Sequence, residues 1–243
     1  MSDGSLTTAP LAAFGDPQSG LWAIAVAGAE PLLVTGHLDG SAPVAFAAAT
    51  LDATAPDAWT VSADTRTLRF AAASEPSAAT AGPIELCRVT GTLTGAEGPV
   101  EVDHDGVRCP ALDAGRLDSL RLIATWFPEG IAAALVALRP VGAKGQDRDS
   151  VAAAISGEPA AMRVFDPRLS TTYGGDGSAR HAGIELWLGE QEDGDLYPRR
   201  FAGEMLGGPA AASAGGLALE AYPLRCHGRT GDGAGVYLLA RPA

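Results

Sequence analysis

The stretch LALEAYPLRCHGRTGDGAGVYLLARP, residues 217–242, decides the fold. Two β-compatible runs, Leu217–His227 and Val236–Arg241, flank a tight turn, Gly-Arg-Thr-Gly-Asp-Gly. Glycine and aspartate reach the backbone conformations that a chain reversal needs, so the segment reads as an antiparallel hairpin.

Working outward from it, short runs of the same kind recur along the whole chain. Candidate strands are Leu21–Gly28, Pro31–Asp39, Val44–Asp52, Trp59–Ala63, Leu68–Ala73, Ile84–Leu93, Val100–Cys109 and Leu120–Phe127. They continue with Ile131–Leu138, Met162–Phe165, Leu169–Tyr173, Arg180–Leu188 and Tyr197–Met205. Turn residues separate them, as in Phe-Pro-Glu-Gly at 127–130 and Gly-Gly-Asp-Gly at 174–177. Closely spaced strands with such turns predict an all-β fold: an antiparallel meander forming a barrel or two partial barrels.

Ile131–Leu138, bounded by Gly130 and Pro140, reads as a strand buried on both faces. One short helix is expected at 150–156, where Ser150 can cap VAAAI before Gly157 and Pro159. Residues 72–82 (AASEPSAATAG) and 206–216 (LGGPAAASAGG) read as linkers. They suggest an N-terminal β part over 1–82 and a C-terminal β part over 83–243, or one continuous domain.

Composition limits the partners. The formal charge is −12, with Lys144 the only lysine, a bias expected of a GC-rich bacterial genome. An acidic surface disfavours nucleic acid and anionic membrane, both of which need Lys and Arg to neutralise phosphate. The longest apolar run, Ile131–Leu138, falls far short of the roughly 20 residues of a spanning helix. The first residues, MSDGSLTTAP, lack the basic and apolar regions of a secretion signal. Three cysteines outside any CxxC pair fit reduced thiols in a cytoplasmic protein, with a Cys87–Cys109 disulfide as the alternative.

The densest chemistry lies between Arg163 and Glu204. Along Arg180–Leu188 the side chains alternate, placing His181, Glu185 and Trp187 on one face and Ala182, Ile184 and Leu186 on the other. If the polar face points into a closed sheet it lines a cavity. If the aliphatic face does, the polar face meets solvent. In a cavity Glu185, His181 and Tyr173 are the candidates for acid–base catalysis. Trp187, Arg180, Arg199, Tyr197 and Trp126 are the candidates for ligand contact. Arg199 and Arg200 face opposite ways, so one of them can pair with Glu185.

Glu101, Asp103 and Asp105 share one face of a strand and His104 takes the other, which leaves a metal short of ligands. Cys226 and His227 are adjacent and likewise face apart. The glycines at 174–177 lack the following helix and Lys-Ser/Thr of a phosphate loop. No metal site and no cofactor are expected.

Phe14-Gly-Asp-Pro, Gly20-Leu21-Trp22 and the closing Gly231-Asp-Gly-Ala-Gly235-Val-Tyr237-Leu resemble the opening strand and last turn of one protein group. It is the lipocalin-like (calycin) β-barrel group of hydroxyneurosporene synthase and the AttH-like proteins. Arg139-Pro-Val-Gly-Ala-Lys-Gly is loosely similar to it as well. The chain is short for two complete lipocalin-type barrels and lacks the Trp-rich His motifs of the group. The resemblance therefore implies a calycin-like architecture with an apolar interior and carries over no catalytic residue. The expected function is binding of a small, largely apolar molecule inside a barrel, such as an isoprenoid, lipid or polyketide. The alternative is a lipocalin-like enzyme (hydratase, isomerase or cyclase) acting on a terpenoid or polyketide. Oligomeric state is left open.

Overall fold

A computed structural model describes residues 10–243 except 28–29, 56, 74–83, 96–97, 110–113, 146–148, 157–163, 189–197, 215 and 230. Two antiparallel sheets make up nearly all of it. The first comprises β1 (Leu11–Gly15), β2 (Leu21–Val26), β3 (Leu32–His37), β4 (Val44–Phe46), β5 (Thr50–Asp52), β6 (Ala58–Ala63), β7 (Arg66–Ala72), β8 (Glu85–Gly95) and β9 (Gly98–Cys109). The second comprises β10 (Leu117–Trp126), β11 (Ala132–Pro140), β12 (Ser150–Ile155), β13 (Val164–Tyr173), β14 (Ala179–Leu188), β15 (Arg199–Met205), β16 (Ala210–Ala214), β17 (Leu217–Gly228) and β18 (Gly231–Pro242).

Strand order shows that both sheets curl. In the first it is β4-β3-β2-β1-β9-β8-β7-β6-β5, so strands consecutive in sequence, β4 and β5, occupy opposite ends. The short link between them forces the two edges to approach. The second runs β12-β11-β10-β18-β17-β15-β14-β13, and its end strands β12 and β13 lie against each other. Curling removes the open edges that would otherwise template pairing with another chain. No helix among the described residues is long and apolar enough to cross a membrane.

Several expectations are corrected. Residues 150–155 form β12, not a helix, and pair with β11 from Leu138↔Ser150 to Ala133↔Ile155. Alanine's helix preference is worth less here than burying both faces of the segment. The expected linker at 206–216 contains β16, which pairs with the first half of β17. Val44–Asp52 is divided between β4 and β5. The described part of the expected Met162–Phe165 run joins Leu169–Tyr173 in one strand, β13, with register shifts beside Val164 and Tyr173, while Met162 and Arg163 lie outside the described residues. Leu11–Gly15 is a further strand that its small, apolar sequence did not signal. The stretch after Ala72 does not part the sheets, because β8 and β9 pair with β7 and β1. Most of that stretch lies outside the described residues. The expected strand at Ile131–Leu138 is β11, buried on both faces.

Two apolar cores follow from the curl. One fills the second sheet, with Ile123, Leu135, Ile184, Leu186, Leu224 and Tyr237 among its members. The other runs from the interior of the first sheet through the seam between the sheets. The seam explains why β10 and β11 are apolar on both faces. Glycines let its indoles in: a Cβ on Gly36 would stand 2.6 Å from the Trp22 ring, and one on Gly15 would stand 2.8 Å from the Trp126 ring.

Inside the first sheet a buried ion pair joins Arg108 on β9 to Glu85 on β8. Arg108 also donates to the Asp57 carbonyl at 2.8 Å, and its guanidinium carbon stands 5.1 Å from the Trp59 ring centroid. Cys87, Cys109 and Cys226 are all buried free thiols. Burial pushes the Cys109 thiol up to about 12, so it stays protonated and unreactive. Asp103 and Asp105 share Arg88, at 2.7 and 3.2 Å, while His104 faces the other way toward Asp16 at 3.3 Å.

Candidate functional site

The curl of the second sheet fixes which side chains enter its lumen. On β17 and β18 the inward residues are Glu220, Tyr222, Leu224 and Cys226, and Tyr237, Leu239 and Arg241. Tyr222 and Tyr237 stand directly opposite each other, ring centroids 6.1 Å apart, and divide the lumen. On one side the filling is apolar, with Phe127 and Phe201 at 5.3 Å and Ile184, Leu186 and Leu224 around them. On the other side the lining turns polar.

The Tyr237 hydroxyl lies 3.3 Å from Thr171 Oγ1 on β13, with Tyr173 as a second neighbour. β18 and β13 are not adjacent in the sheet, so this contact spans the lumen. Tyr222 donates its hydroxyl proton to Glu220 Oε2 at 2.9 Å. Burial, reinforced by the Glu220 carboxylate, pushes Tyr222 up to about 12. Burial pushes Tyr237 up as well. Both phenols are therefore neutral hydrogen-bond donors at ordinary pH.

Beyond the tyrosines a cavity of about 400 Å³ opens at the sheet's mouth. Its lining comes from strands in register: Ala211, Glu220 and Leu239 in one row, Ser213, Ala218 and Arg241 in the next. Small side chains on β16 and β17 leave the space, and Leu239 supplies an apolar wall. Glu220 brings a carboxylate already bonded to Tyr222. Arg241 brings an exposed guanidinium with no ion partner among the described residues. Farther round the mouth, Arg121 and Arg139 share Asp149 at 2.6 and 3.1 Å. Those two cations are committed, and Arg241 is not. The arrangement can hold a compact apolar body and meet a polar head with one cation and one carboxylate.

The residues expected from sequence are dispersed by this geometry. Ala182, Ile184 and Leu186 are buried in the lumen, so the His181, Glu185 and Trp187 face points outward. Glu185 accepts a hydrogen bond from Arg200 Nε at 2.8 Å, the cross-strand pairing allowed for above. Arg168 stands 5.9 Å from the Trp187 ring. Arg180 pairs with Asp176 at 2.8 Å, and Arg199 is exposed at the start of β15. Trp126 is buried in the core that includes the seam. Tyr173 does reach the lumen, beside Tyr237. Tyr197 lies outside the described residues.

Sequence reading missed Glu220, Tyr222, Tyr237 and Arg241, although they belong to the most legible hairpin in the chain. Their alternation, Glu220 with Tyr222 and Tyr237 with Arg241, was the available signal. Turning it into a site requires knowing which way the sheet curls.

No protein-family model and no curated protein matches the sequence. Solved structures do match. Kievitone hydratase from Nectria haematococca aligns with a TM-score of 0.57 at 7% identity, over 98% of this chain and 90% of that one. A putative AttH from Nitrosomonas europaea aligns with a TM-score of 0.54 at 8% identity, over 98% and 93%. The chain thus has the fold of these lipocalin-like barrel proteins, in agreement with the resemblance of its opening strand and closing turn.

Proposed function

We propose that the chain binds a small amphipathic molecule of isoprenoid, lipid or polyketide type at the mouth of the second sheet. The 400 Å³ cavity there carries the reading. It falls within the range of roughly 300–1,000 Å³ usual for small-molecule sites, with few polar groups on a largely apolar lining. The apolar part of the ligand packs against Leu239, Ala211 and Ala218, and its polar head meets Arg241 and Glu220. A thermal-shift screen of isoprenoids, fatty acids and aromatic polyketides tests the proposal. A true ligand at 100 times its Kd adds about 2.7 kcal/mol to stability. Ala218→Trp, which fills the cavity from an exposed position, abolishes that gain. A screen without any stabilising compound, or an equal gain in Ala218→Trp, overturns the reading.

One observation favours chemistry as a second reading. Glu220 at the cavity wall accepts a hydrogen bond from Tyr222, a phenol buried behind it. Such a pair can deliver a proton and take one back, as the addition of water to a double bond requires. A hydratase bears the same fold. On this reading Glu220→Gln keeps ligand binding and loses turnover, and equal turnover in the variant removes Glu220 from the chemistry.

A further inference from the structure

The outward face of the second sheet carries a depression of about 330 Å³. Ser170, Gly183, Ala202 and His227 stand opposite one another in register across β13, β14, β15 and β17. The neighbouring row contributes Thr172, His181 and Glu204. Gly183 and Ala202 make a flat apolar floor, with nothing beyond Cβ. The rim around it is polar on both sides.

Two of the rim groups already have neighbours. Glu204 accepts from Arg225 at 3.2 Å, and His227 Nδ1 lies 2.7 Å from Asp232 Oδ1. These neighbours hold the two rim groups and leave Glu204 Oε2 and His227 Nε2 for another partner. His181 and Thr172 have no hydrogen-bond partner among the described residues.

Other occupants fit this chemistry poorly. A metal ion needs converging ligands, and no group of three His, Cys, Asp or Glu among the described residues can hold one. Phosphate needs an uncommitted cation, whereas Arg225 is engaged by Glu204. A peptide strand needs a free sheet edge, and β14 and β15 are paired on both sides. A flat apolar floor inside a rim of donors and acceptors matches a ring with one C–H face and hydroxyls around its edge.

We propose that this groove is a second binding site, independent of the mouth cavity, that takes a neutral pyranose ring. The ring lies over Gly183 and Ala202. Its hydroxyls donate to Glu204 and exchange hydrogen bonds with His227, Thr172 and His181.

Histidine-selective NMR on the full chain tests this, with methyl β-glucopyranoside, methyl α-mannopyranoside and cellobiose as probes and inorganic phosphate and Zn²⁺ as controls. The expected result is a saturable shift of the His181 and His227 signals with at least one saccharide. Gly183→Val raises the floor and weakens that binding at least tenfold. A Cβ at Gly183 would stand 3.3 Å from Ser170 Oγ and 3.4 Å from the Phe201 carbonyl oxygen, so the Ser170 side chain must give way slightly for the new side chain to project into the groove. His181→Phe, at an exposed position, weakens binding through a separate contact and serves if the first variant does not fold. No saturable response to any of the three saccharides, a response to phosphate or Zn²⁺ alone, or undiminished binding in both variants overturns the proposal.

Discussion

Arg108 and Glu85 put two almost fully buried charges among mainly apolar side chains inside the first sheet. Taking both out of water costs several kcal/mol, offset only while they face each other and Arg108 keeps its bond to the Asp57 carbonyl. Arg108→Ala strands the carboxylate. The expected loss is about 3–5 kcal/mol in denaturant unfolding, larger than a surface ion pair would give. Arg108→Met combined with Glu85→Leu removes both charges and recovers much of that loss. A double variant as unstable as Arg108→Ala would show that packing against Trp59, not charge pairing, governs the position.

Among the elements, β18 does the most connecting. It pairs with β10 and β17, and through Tyr237 it also reaches β13 across the lumen. Tyr237→Phe keeps the ring and removes the bridge, which should cost about 0.5–1.5 kcal/mol. Amide exchange should accelerate around Thr171, while the β17–β18 ladder stays protected. Uniform acceleration across the second sheet would mean that the hydroxyl holds no particular strand. The β17–β18 hairpin was legible because glycine and aspartate mark its turn and its flanks are long. β12 and β16 were not, since Val-Ala-Ala-Ala-Ile and Ala-Ala-Ala-Ser-Ala give no period of two to read. The outward orientation of His181, Glu185 and Trp187 followed from the fold, because strand alternation defines two faces without saying which one turns inward.

For the whole molecule, the seam is the decisive region. Leu11 and Val26 from the first sheet meet Leu120, Leu217, Leu219 and Leu238 from the second around a void of only about 10 Å³. That is at most marginal for one water molecule, so the contact is close-packed. Calorimetry should accordingly show one cooperative transition, with the measured enthalpy equal to the van't Hoff value. Two resolved transitions would mean that each sheet folds alone. The strand order also has a consequence for synthesis on the ribosome. The first sheet has all its strands once Cys109 has emerged, but the second lacks its central strand until β18 appears, since residue 120 pairs with residue 240. From residue 126 until the last dozen residues emerge, β10 therefore holds an apolar edge without its partner. That interval, rather than the finished structure, is when the chain most needs chaperone cover.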